Sequence, residues 1–262
     1  LNCIILPLMD KTEVITVKNL VKHYGSFEAV KGISFSVNEG EIFGLLGPNG
    51  AGKSSTLEIM ETLRKKTSGE VRIAGYDLDK SADKIKQIIG VQLQTSGFYP
   101  GLNLTELVAL FGGLYNEPVN ATELLRLVDL EDKAKSKYKE LSGGQKQRFS
   151  IATTLINKPR IIFLDEPTTG LDPQARRNLW NLIRDIRSKG TTIIITTHYM
   201  DEAEILCDRV AIMEQGKIIA LQSPDQLIDD LVASGFERPK GVKKANLEDV
   251  FIHLTGHALR NE

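Results

Sequence analysis

The sequence has few cysteines and no long apolar run. Its two cysteines, Cys3 and Cys207, are too few for a disulfide framework, which suits a reducing compartment. Its longest candidate for a membrane span, residues 3–9, is interrupted by Pro7 and falls far short of the ~20 apolar residues that cross a bilayer. The same segment has neither a basic leading region nor a small-residue cleavage site, so we predict neither a transmembrane helix nor a signal peptide.

The sequence also carries almost no net charge. The 33 Lys and Arg residues balance 34 Asp and Glu residues, for a formal charge of −1, so no global field marks a nucleic-acid binder. With 41% hydrophobic and 26% charged residues, the 262-residue chain has the composition of a folded globular protein rather than of a disordered chain or coiled coil. That length corresponds to one large or two small domains.

Apolar patterning predicts an α/β core preceded by an antiparallel β layer. Alternation at Ile15 and Val17, and again at Ile33, Phe35 and Val37, indicates short strands with one buried face. Continuous apolar runs at 42–46, 161–164, 193–195 and 210–213 are typical of a parallel sheet buried on both faces. After the first run, a Gly-rich turn leads into a predicted helix that carries Leu57, Ile59, Met60 and Leu63.

A helical subdomain is predicted within this core. Between about 97 and 159, helical apolar spacing occurs at 104–115, 121–128 and 143–155, without buried-strand runs. We expect three parts: a disordered extension at 1–12, an α/β domain with the inserted helices at 13–225, and a short tail at 226–262. The tail is expected to hold a short helix after Pro224 and an amphipathic segment with Leu247, Val250, Phe251 and Leu254.

The segment Gly47 to Ser54 fits the phosphate-binding pattern G-x-x-x-x-G-K-[ST], directly after a buried strand and at the start of a helix. Glycines allow backbone N–H groups to surround phosphate oxygens, and the helix N-terminus adds partial positive charge. Lys53 is expected to reach the β/γ-phosphates and Ser54 to bind Mg²⁺.

Two carboxylates, Asp165 and Glu166, end the apolar run at 161–164, at the edge of the sheet where ligands bind in open α/β folds. Successive strand residues point to opposite sides, so we expect different tasks: one carboxylate orients Mg²⁺ and the next activates water. The alternative is an ordinary acidic N-cap for the following segment.

Ser142 and Gln145 have the spacing of a capping box around Gly143 and Gly144. We therefore predict a helix start whose exposed backbone N–H groups form a second anion site. The alternative is a capped helix start without a ligand.

Together, Gly47 to Ser54, the LSGGQ segment at 141–145, residues 161–166, the Gly-Leu-Asp at 170–172 and His198 resemble the nucleotide-binding subunit of an ATP-binding cassette (ABC) transporter. The resemblance covers about residues 13–225. It implies a P-loop NTPase fold, ATP and Mg²⁺ as cofactors, and ATP hydrolysis coupled to transport. Further similarity, at 98–106, 197–204 and 247–251, is to bacterial drug-export cassettes that pair with separate permeases.

The resemblance also implies residue roles. Tyr24 would stack on adenine, although a lone aromatic there is otherwise usually a core residue, and His198 would hold the γ-phosphate and Glu166, although it could be structural. Asp172 would lie at a dimer seam, and Gln94 would contact Mg²⁺ or the attacking water, with Gln92 as a competing register. The implied ATP-binding set is Tyr24, Gly47, Asn49, Gly50, Ala51, Gly52, Lys53, Ser54 and Ser55.

The expected partners are permease subunits and a second cassette, identical or different, whose ATP meets Ser142 to Gln145; nucleic acid is not expected. This places the chain at the cytoplasmic face of the membrane, without a span of its own. Phe98, Tyr99 and Leu102 are predicted to form an exposed apolar docking cluster, with a buried hinge as the alternative. The competing classes are a soluble ABC ATPase of translation or DNA repair and a regulatory module without turnover. The fused second cassette and the long coiled coil of the soluble class are missing here. The module without turnover is disfavoured because Glu166, Gln94 and His198, the residues expected to serve hydrolysis, are all present.

Overall fold

The computed structural model describes residues 12–92, 97–236 and 246–256. Two sheets and a set of helices make up this part of the chain. The strands are β1 (Glu13–Tyr24), β2 (Phe27–Asn38), β3 (Ile42–Leu46), β4 (Ser68–Ile73), β5 (Tyr76–Asp77), β6 (Ile89–Gln92), β7 (Ile161–Asp165), β8 (Thr192–Thr197), β9 (Arg209–Glu214) and β10 (Lys217–Gln222). The helices are α1 (Lys53–Met60), α2 (Ala82–Ile88), α3 (Leu104–Tyr115), α4 (Ala121–Leu127), α5 (Gly143–Thr154), α6 (Pro173–Ser188), α7 (Met200–Leu206), α8 (Pro224–Ala233) and α9 (Leu247–Thr255), with short 3-10 helices at Glu131–Lys133 and Tyr138–Glu140.

The larger sheet has the order β10-β9-β3-β8-β7-β6, and every pair except β9 with β10 is parallel. The smaller sheet, β2-β1-β4-β5, is antiparallel throughout. This confirms the predicted fold class, because the four continuous apolar runs all lie in the larger sheet and the alternating ones in the smaller sheet.

The larger sheet separates two hydrophobic clusters, which is why β3 and most of β7, β8 and β9 are buried on both faces. In β3, Ile42 and Leu46 pack with residues of α3 to α9, whereas Phe43 and Leu45 pack with the antiparallel sheet, α1 and α2. The carboxyl ends of β3, β7 and β8 therefore meet at one edge, between the two layers.

The inserted helical region contains α3, α4 and α5, within one residue of the predicted helical segments. Beyond it, α8 and α9 bury Leu227, Leu231, Leu247, Val250 and Phe251 in the same cluster as the helices of the core. The proposed domain limits at 13 and 225 stay predictions; α8 begins one residue before the second limit.

The prediction that Leu63 belongs to the first helix is wrong. The helix ends at Met60 in a Schellman motif: Thr62 has a φ of 64°, its N–H donates to Ile59 O at 3.0 Å, and Leu63 N–H donates to Glu58 O at 2.9 Å. Leu63 lies past this reversal and is exposed.

The predicted exposed cluster of Phe98, Tyr99 and Leu102 is only partly correct. The Phe98 ring packs against Phe111, Tyr138 and Phe149, with centroid distances of 5.8, 4.4 and 5.2 Å. Leu102 is also half-buried against the core, whereas Tyr99 is 66% exposed. The aromatic contacts make Phe98 a packing residue and leave Tyr99 as the exposed one.

Candidate active site

The loop from Gly47 to Gly52 joins β3 to α1 and is pressed against neighbouring backbone. A Cβ atom at Gly47 would lie 2.2 Å from Met213 O, and one at Gly52 would lie 2.6 Å from Ala29 O. Gly52 also has a φ of 97°, which residues with a side chain rarely adopt. Both positions therefore require glycine, and α1 begins directly after them with its N-terminal N–H groups facing the loop.

Lys53, the first residue of α1, is buried beneath this loop. Its Nζ donates to Gly47 O at 2.8 Å and to Pro48 O at 3.1 Å, and lies 3.7 Å from Glu166 Oε1. Burial lowers the pKa of Lys53, and the charges of Glu166 and Asp165 oppose that shift. The side chain thus links the loop to the carboxylates.

Asp165 ends β7 next to Ser54 and Thr196. Ser54 Oγ lies 3.5 Å from Asp165 Oδ1, and the Thr196 hydroxyl donates to the same oxygen. Burial raises the pKa of Asp165, and the Thr196 hydrogen bond opposes this shift.

Glu166 turns away from Asp165 because its backbone has a φ of 46°. Its Oε2 accepts a hydrogen bond from Thr169 Oγ1 at 3.3 Å and lies 3.2 Å from His198 Nδ1. The two carboxylates therefore face different partners. The predicted divergence is present, but its cause is the left-handed backbone of Glu166 beyond the end of β7 and not alternation along a strand. The acidic N-cap alternative is wrong, because α6 begins at Pro173 and its cap is Asp172.

His198 follows the carboxyl end of β8, the strand beside β7. Its ring packs on Tyr199 with a centroid distance of 4.1 Å, and the Arg176 guanidinium lies 4.5 Å from the Tyr199 ring. These contacts fix the imidazole beside Glu166. The structure thus brings Lys53, Glu166 and His198 together from three separate elements.

A cavity of about 420 Å³ opens above the phosphate loop. Tyr24 and Phe27 form one end of it, at the turn between β1 and β2, and Tyr24 is 38% exposed, so the core alternative for Tyr24 is wrong. The Tyr24 hydroxyl is 3.1 Å from Ser55 Oγ. Gly47 and Ala51 of the predicted ATP-binding set are buried and do not line the cavity, in contrast to Tyr24, Asn49, Gly50, Gly52, Lys53, Ser54 and Ser55.

A second cavity, of about 440 Å³, surrounds the start of α5. The predicted capping box is present: Ser142 Oγ accepts from Gln145 N–H at 3.3 Å, and Gln145 Oε1 accepts from Ser142 N–H at 2.9 Å. Asp172 lines the same cavity and caps α6 by accepting from Gln174 and Ala175 N–H, both at 2.9 Å. Among the described residues, the two cavities share no lining residue.

The structure does not test the predicted role of Gln94. Gln94 lies outside the described residues, while Gln92, the competing register, is the buried last residue of β6. Sequence reasoning missed Thr196 and Thr169, which contact the two carboxylates. A signal was present for Thr196: it is one of two threonines that end an otherwise apolar run directly before His198.

A buried lysine under a glycine loop and divergent carboxylates at the carboxyl ends of parallel strands define a P-loop nucleotide hydrolase. The family model described as "ABC transporter" matches residues 30–169, and the chain belongs to this family. It is an ATP-binding and ATP-hydrolysing subunit of an ABC transporter.

Two named relatives are similar over most of their length. The linearmycin resistance ATP-binding protein LnrL of Bacillus subtilis (strain 168) is 41% identical over 219 residues, which cover 82% of this chain and 70% of LnrL. The Nod factor export ATP-binding protein I of Burkholderia lata is 40% identical over 245 residues, which cover 92% of this chain and 81% of that protein.

Solved structures agree with this fold. The ATP-binding subunit of an ABC transporter superposes with a TM-score of 0.78 at 28% identity, covering 92% of this chain and 99% of that one. The cassette MJ0796, in a dimeric post-hydrolysis state bound to ADP and Pi, superposes with a TM-score of 0.71 at 30% identity, covering 80% of this chain and 98% of that one.

Proposed function

We propose that this subunit binds ATP with Mg²⁺ in the phosphate-loop cavity and hydrolyses it to drive export through a separate membrane permease. The observation that carries the hydrolytic assignment is the arrangement of Glu166, whose carboxylate lies between Lys53 and His198 at the mouth of this cavity. A purely nucleotide-binding module needs the lysine but has no use for a positioned base.

Lys53 and the start of α1 bind the phosphates. A Lys ammonium acts on phosphate oxygens as a point charge, and the α1 N-terminus adds backbone donors. Within the free chain, Nζ is held by the carbonyls of Gly47 and Pro48, so it is already aimed at the loop interior. The Tyr24 ring, at the other end of the cavity, stacks on the base.

Ser54 and Asp165 suit Mg²⁺. A hard cation prefers oxygen ligands, and Mg²⁺ is usually held by one or two protein groups together with substrate phosphates and water. The described residues contain no group of three or more His, Cys, Asp and Glu side chains placed to hold a metal, which agrees with a metal held partly by the nucleotide. Gln94 is proposed as a further ligand. When bound, Mg²⁺ neutralises phosphate charge.

Glu166 acts as the general base for the attacking water. Thr169 Oγ1 donates a hydrogen bond to Glu166 Oε2 at 3.3 Å, and His198 Nδ1 lies 3.2 Å from the same oxygen without a hydrogen bond in the free chain. A base held from two sides loses less entropy on reaching the reactive geometry. His198 also contacts the γ-phosphate in this proposal.

Two cassettes assemble head to tail. The N-terminus of α5, with Ser142 and Gly143 exposed, borders a cavity separate from the phosphate loop of its own chain. A helix N-terminus stabilises an anion only when it points at the anion. A second cassette would bring this terminus, with Gly144 and Gln145, onto the partner's ATP and place Asp172 at the seam. The existence of a dimeric MJ0796 structure supports this arrangement.

A permease is the remaining partner, and the direction is export. No helix in the described part of the chain is long and apolar enough to cross a bilayer. The names of LnrL and of the Nod factor export protein point to resistance and export for those relatives. The exposed Tyr99, which follows the segment that contains Gln94, is proposed to contact the permease at the cytoplasmic face of the membrane.

The test is Glu166→Gln. We expect ATP affinity within about threefold of the original and turnover lower by ~10²–10⁴, the usual contribution of a general base. Glu70→Gln, on an exposed strand position, is the matched control and should hydrolyse ATP normally. If Glu166→Gln keeps full turnover, Glu166 is not the base; if the unaltered protein binds ATP without releasing phosphate, the chain is a binding module.

A further inference from the structure

Thr196 lies at the point where the two carboxylates diverge. It is the fifth residue of β8, is 0% exposed, and pairs in parallel register with Asp165. The Thr196 hydroxyl contacts both acidic residues: Oγ1 donates to Asp165 Oδ1 and accepts from the backbone N–H of Glu166 at 3.0 Å. The same N–H also donates to Thr196 O at 3.1 Å.

The direction of these hydrogen bonds is determined by chemistry. A backbone N–H can only donate, so the Thr196 oxygen must accept from Glu166. The hydroxyl has a single proton, which is then available for Asp165 Oδ1. Asp165 therefore accepts at Oδ1 from a buried, fixed donor.

The contact also stabilises an unfavourable backbone. Glu166 has a φ of 46°, a conformation that costs a residue with a side chain free energy unless its surroundings hold it. The Glu166 N–H donates to both the Oγ1 and the carbonyl oxygen of Thr196, and these two contacts hold the backbone in place. Because this conformation turns Glu166 away from Asp165, Thr196 holds the chain in the shape that separates the two side chains.

The neighbouring Thr197 serves a different element. Its Oγ1 accepts from the backbone N–H of Tyr199 at 3.0 Å, in the turn that carries His198. Successive strand residues alternate in direction, so of these two neighbouring threonines it is Thr196 that faces the carboxylates.

We propose that Thr196 is a positioning residue that orients Asp165 toward the metal and sets the backbone of Glu166 for hydrolysis. The proposal rests on the roles proposed above for Asp165 and Glu166. It predicts that loss of one hydroxyl weakens both metal dependence and turnover without removing nucleotide binding.

The main variant is Thr196→Val, which keeps the branched shape and removes the hydroxyl. The first readout is the dissociation constant of a fluorescent ATP analogue with and without Mg²⁺, by titration; the second is kcat. We expect the affinity for the ATP analogue without Mg²⁺ to stay within about twofold of the original. The gain in affinity that Mg²⁺ gives, and kcat, should each fall ~10-fold or more, because a hydrogen bond to a charged group is worth that much.

A second pair of variants guards against a folding artefact. Thr196→Ser and Thr196→Ala differ only in the hydroxyl, so serine should restore the Mg²⁺ dependence and kcat that alanine loses. The control is Thr192→Val, which removes the hydroxyl of another fully buried threonine of the same strand. Thr192 Oγ1 accepts from Gly40 N–H at 2.9 Å, and Thr192 lies about 13 Å along the strand from Thr196. We expect Thr192→Val to leave the Mg²⁺ dependence unchanged, whatever its effect on thermal stability.

Asp165→Asn distinguishes a failure of the inference on Thr196 from a failure of the proposed metal site. If Asp165→Asn abolishes the Mg²⁺ dependence and Thr196→Val leaves it intact, the inference on Thr196 is wrong while the metal role of Asp165 stands. If Asp165→Asn itself leaves the Mg²⁺ dependence unchanged, the proposed metal site is wrong and the inference falls with it. Equal losses in Thr196→Ser and Thr196→Ala would also overturn the inference.

Discussion

Glu61 makes the stability of this protein depend on pH in an unusual direction. It follows the last residue of α1, is 2% exposed, and its Oε1 has no hydrogen-bond partner in the described part of the chain. Burial, reinforced by the charges of Asp165 and Glu58, raises the pKa of Glu61 to about 8. The group is therefore protonated in the folded protein over a range where it ionises in the unfolded chain.

The sign follows from proton linkage. Between pH 4.5 and 8 the folded state binds more protons at Glu61 than the unfolded state, so stability falls as pH rises. The contribution is fully present below the unfolded pKa and is lost as pH rises through the folded one. At 1.36 kcal/mol per pKa unit, the shift removes about 3 kcal/mol of unfolding free energy between pH 5 and 8.

Glu61→Gln removes this ionisation and keeps the side-chain shape. We expect urea denaturation at pH 5, 6, 7 and 8 to show the variant gaining on the original protein by about 3 kcal/mol across the series. Glu70→Gln, at an exposed glutamate, should differ from the original by the same small amount at every pH. A constant difference for Glu61→Gln, or one that shrinks toward pH 8, would show that the pKa of Glu61 is not raised on folding.

Four further substitutions test the phosphate loop, the base contact and the proposed docking residue. Lys53→Ala should remove most ATP binding, because backbone dipoles do not replace a point charge on the phosphates, and near-normal affinity in a nucleotide titration would contradict the phosphate-loop assignment. Tyr24→Ala should weaken ATP binding by ~10-fold and leave inorganic tripolyphosphate binding unchanged, because that ligand has no base to stack; equal losses for both ligands would reject stacking. Tyr99→Asp should keep basal ATPase activity and lose association with permease-containing membranes, and intact association would exclude docking at Tyr99. Phe98→Asp should lower the melting temperature, because it places a charge among the aromatic rings that Phe98 contacts.

The fold was predictable because its signals are local. The apolar runs identify β3, β7, β8 and β9, and the spacing of Ser142 and Gln145 identifies the start of α5, since a capping box depends on residues three apart. The phosphate loop needs only its own glycines and the flanking strand and helix.

The remaining features depend on residues far apart in the sequence. Thr196 contacts Asp165 across 31 positions, and the raised pKa of Glu61 comes from burial and from the charge of the distant Asp165, both of which arise only on folding. Phe98 belongs to an apolar cluster predicted to be exposed, and its ring is partly buried because Phe111, Tyr138 and Phe149 converge on it. Leu63 fits the helical period, but the reversal at Thr62 ends the helix first.

The most direct test of the proposed mechanism asks whether the α5 N-terminus completes the ATP site of a second chain. Lys53→Ala and Ser142→Arg chains, each labelled differently and each unable to form an ATP-dependent dimer alone, are mixed. In a head-to-tail dimer, the mixed pair contains one intact site and one doubly altered site.

The matched control is Ser223→Arg. Ser223 caps α8 by accepting from Gln226 N–H at 3.3 Å, the same distance as the Ser142 cap, but does not line the α5 cavity. This chain should dimerise with ATP by itself. We predict that the mixture of Lys53→Ala and Ser142→Arg chains forms a mixed dimer that retains about one ATP. Folded chains whose mixture forms no more ATP-dependent dimer than either variant alone would contradict the head-to-tail arrangement.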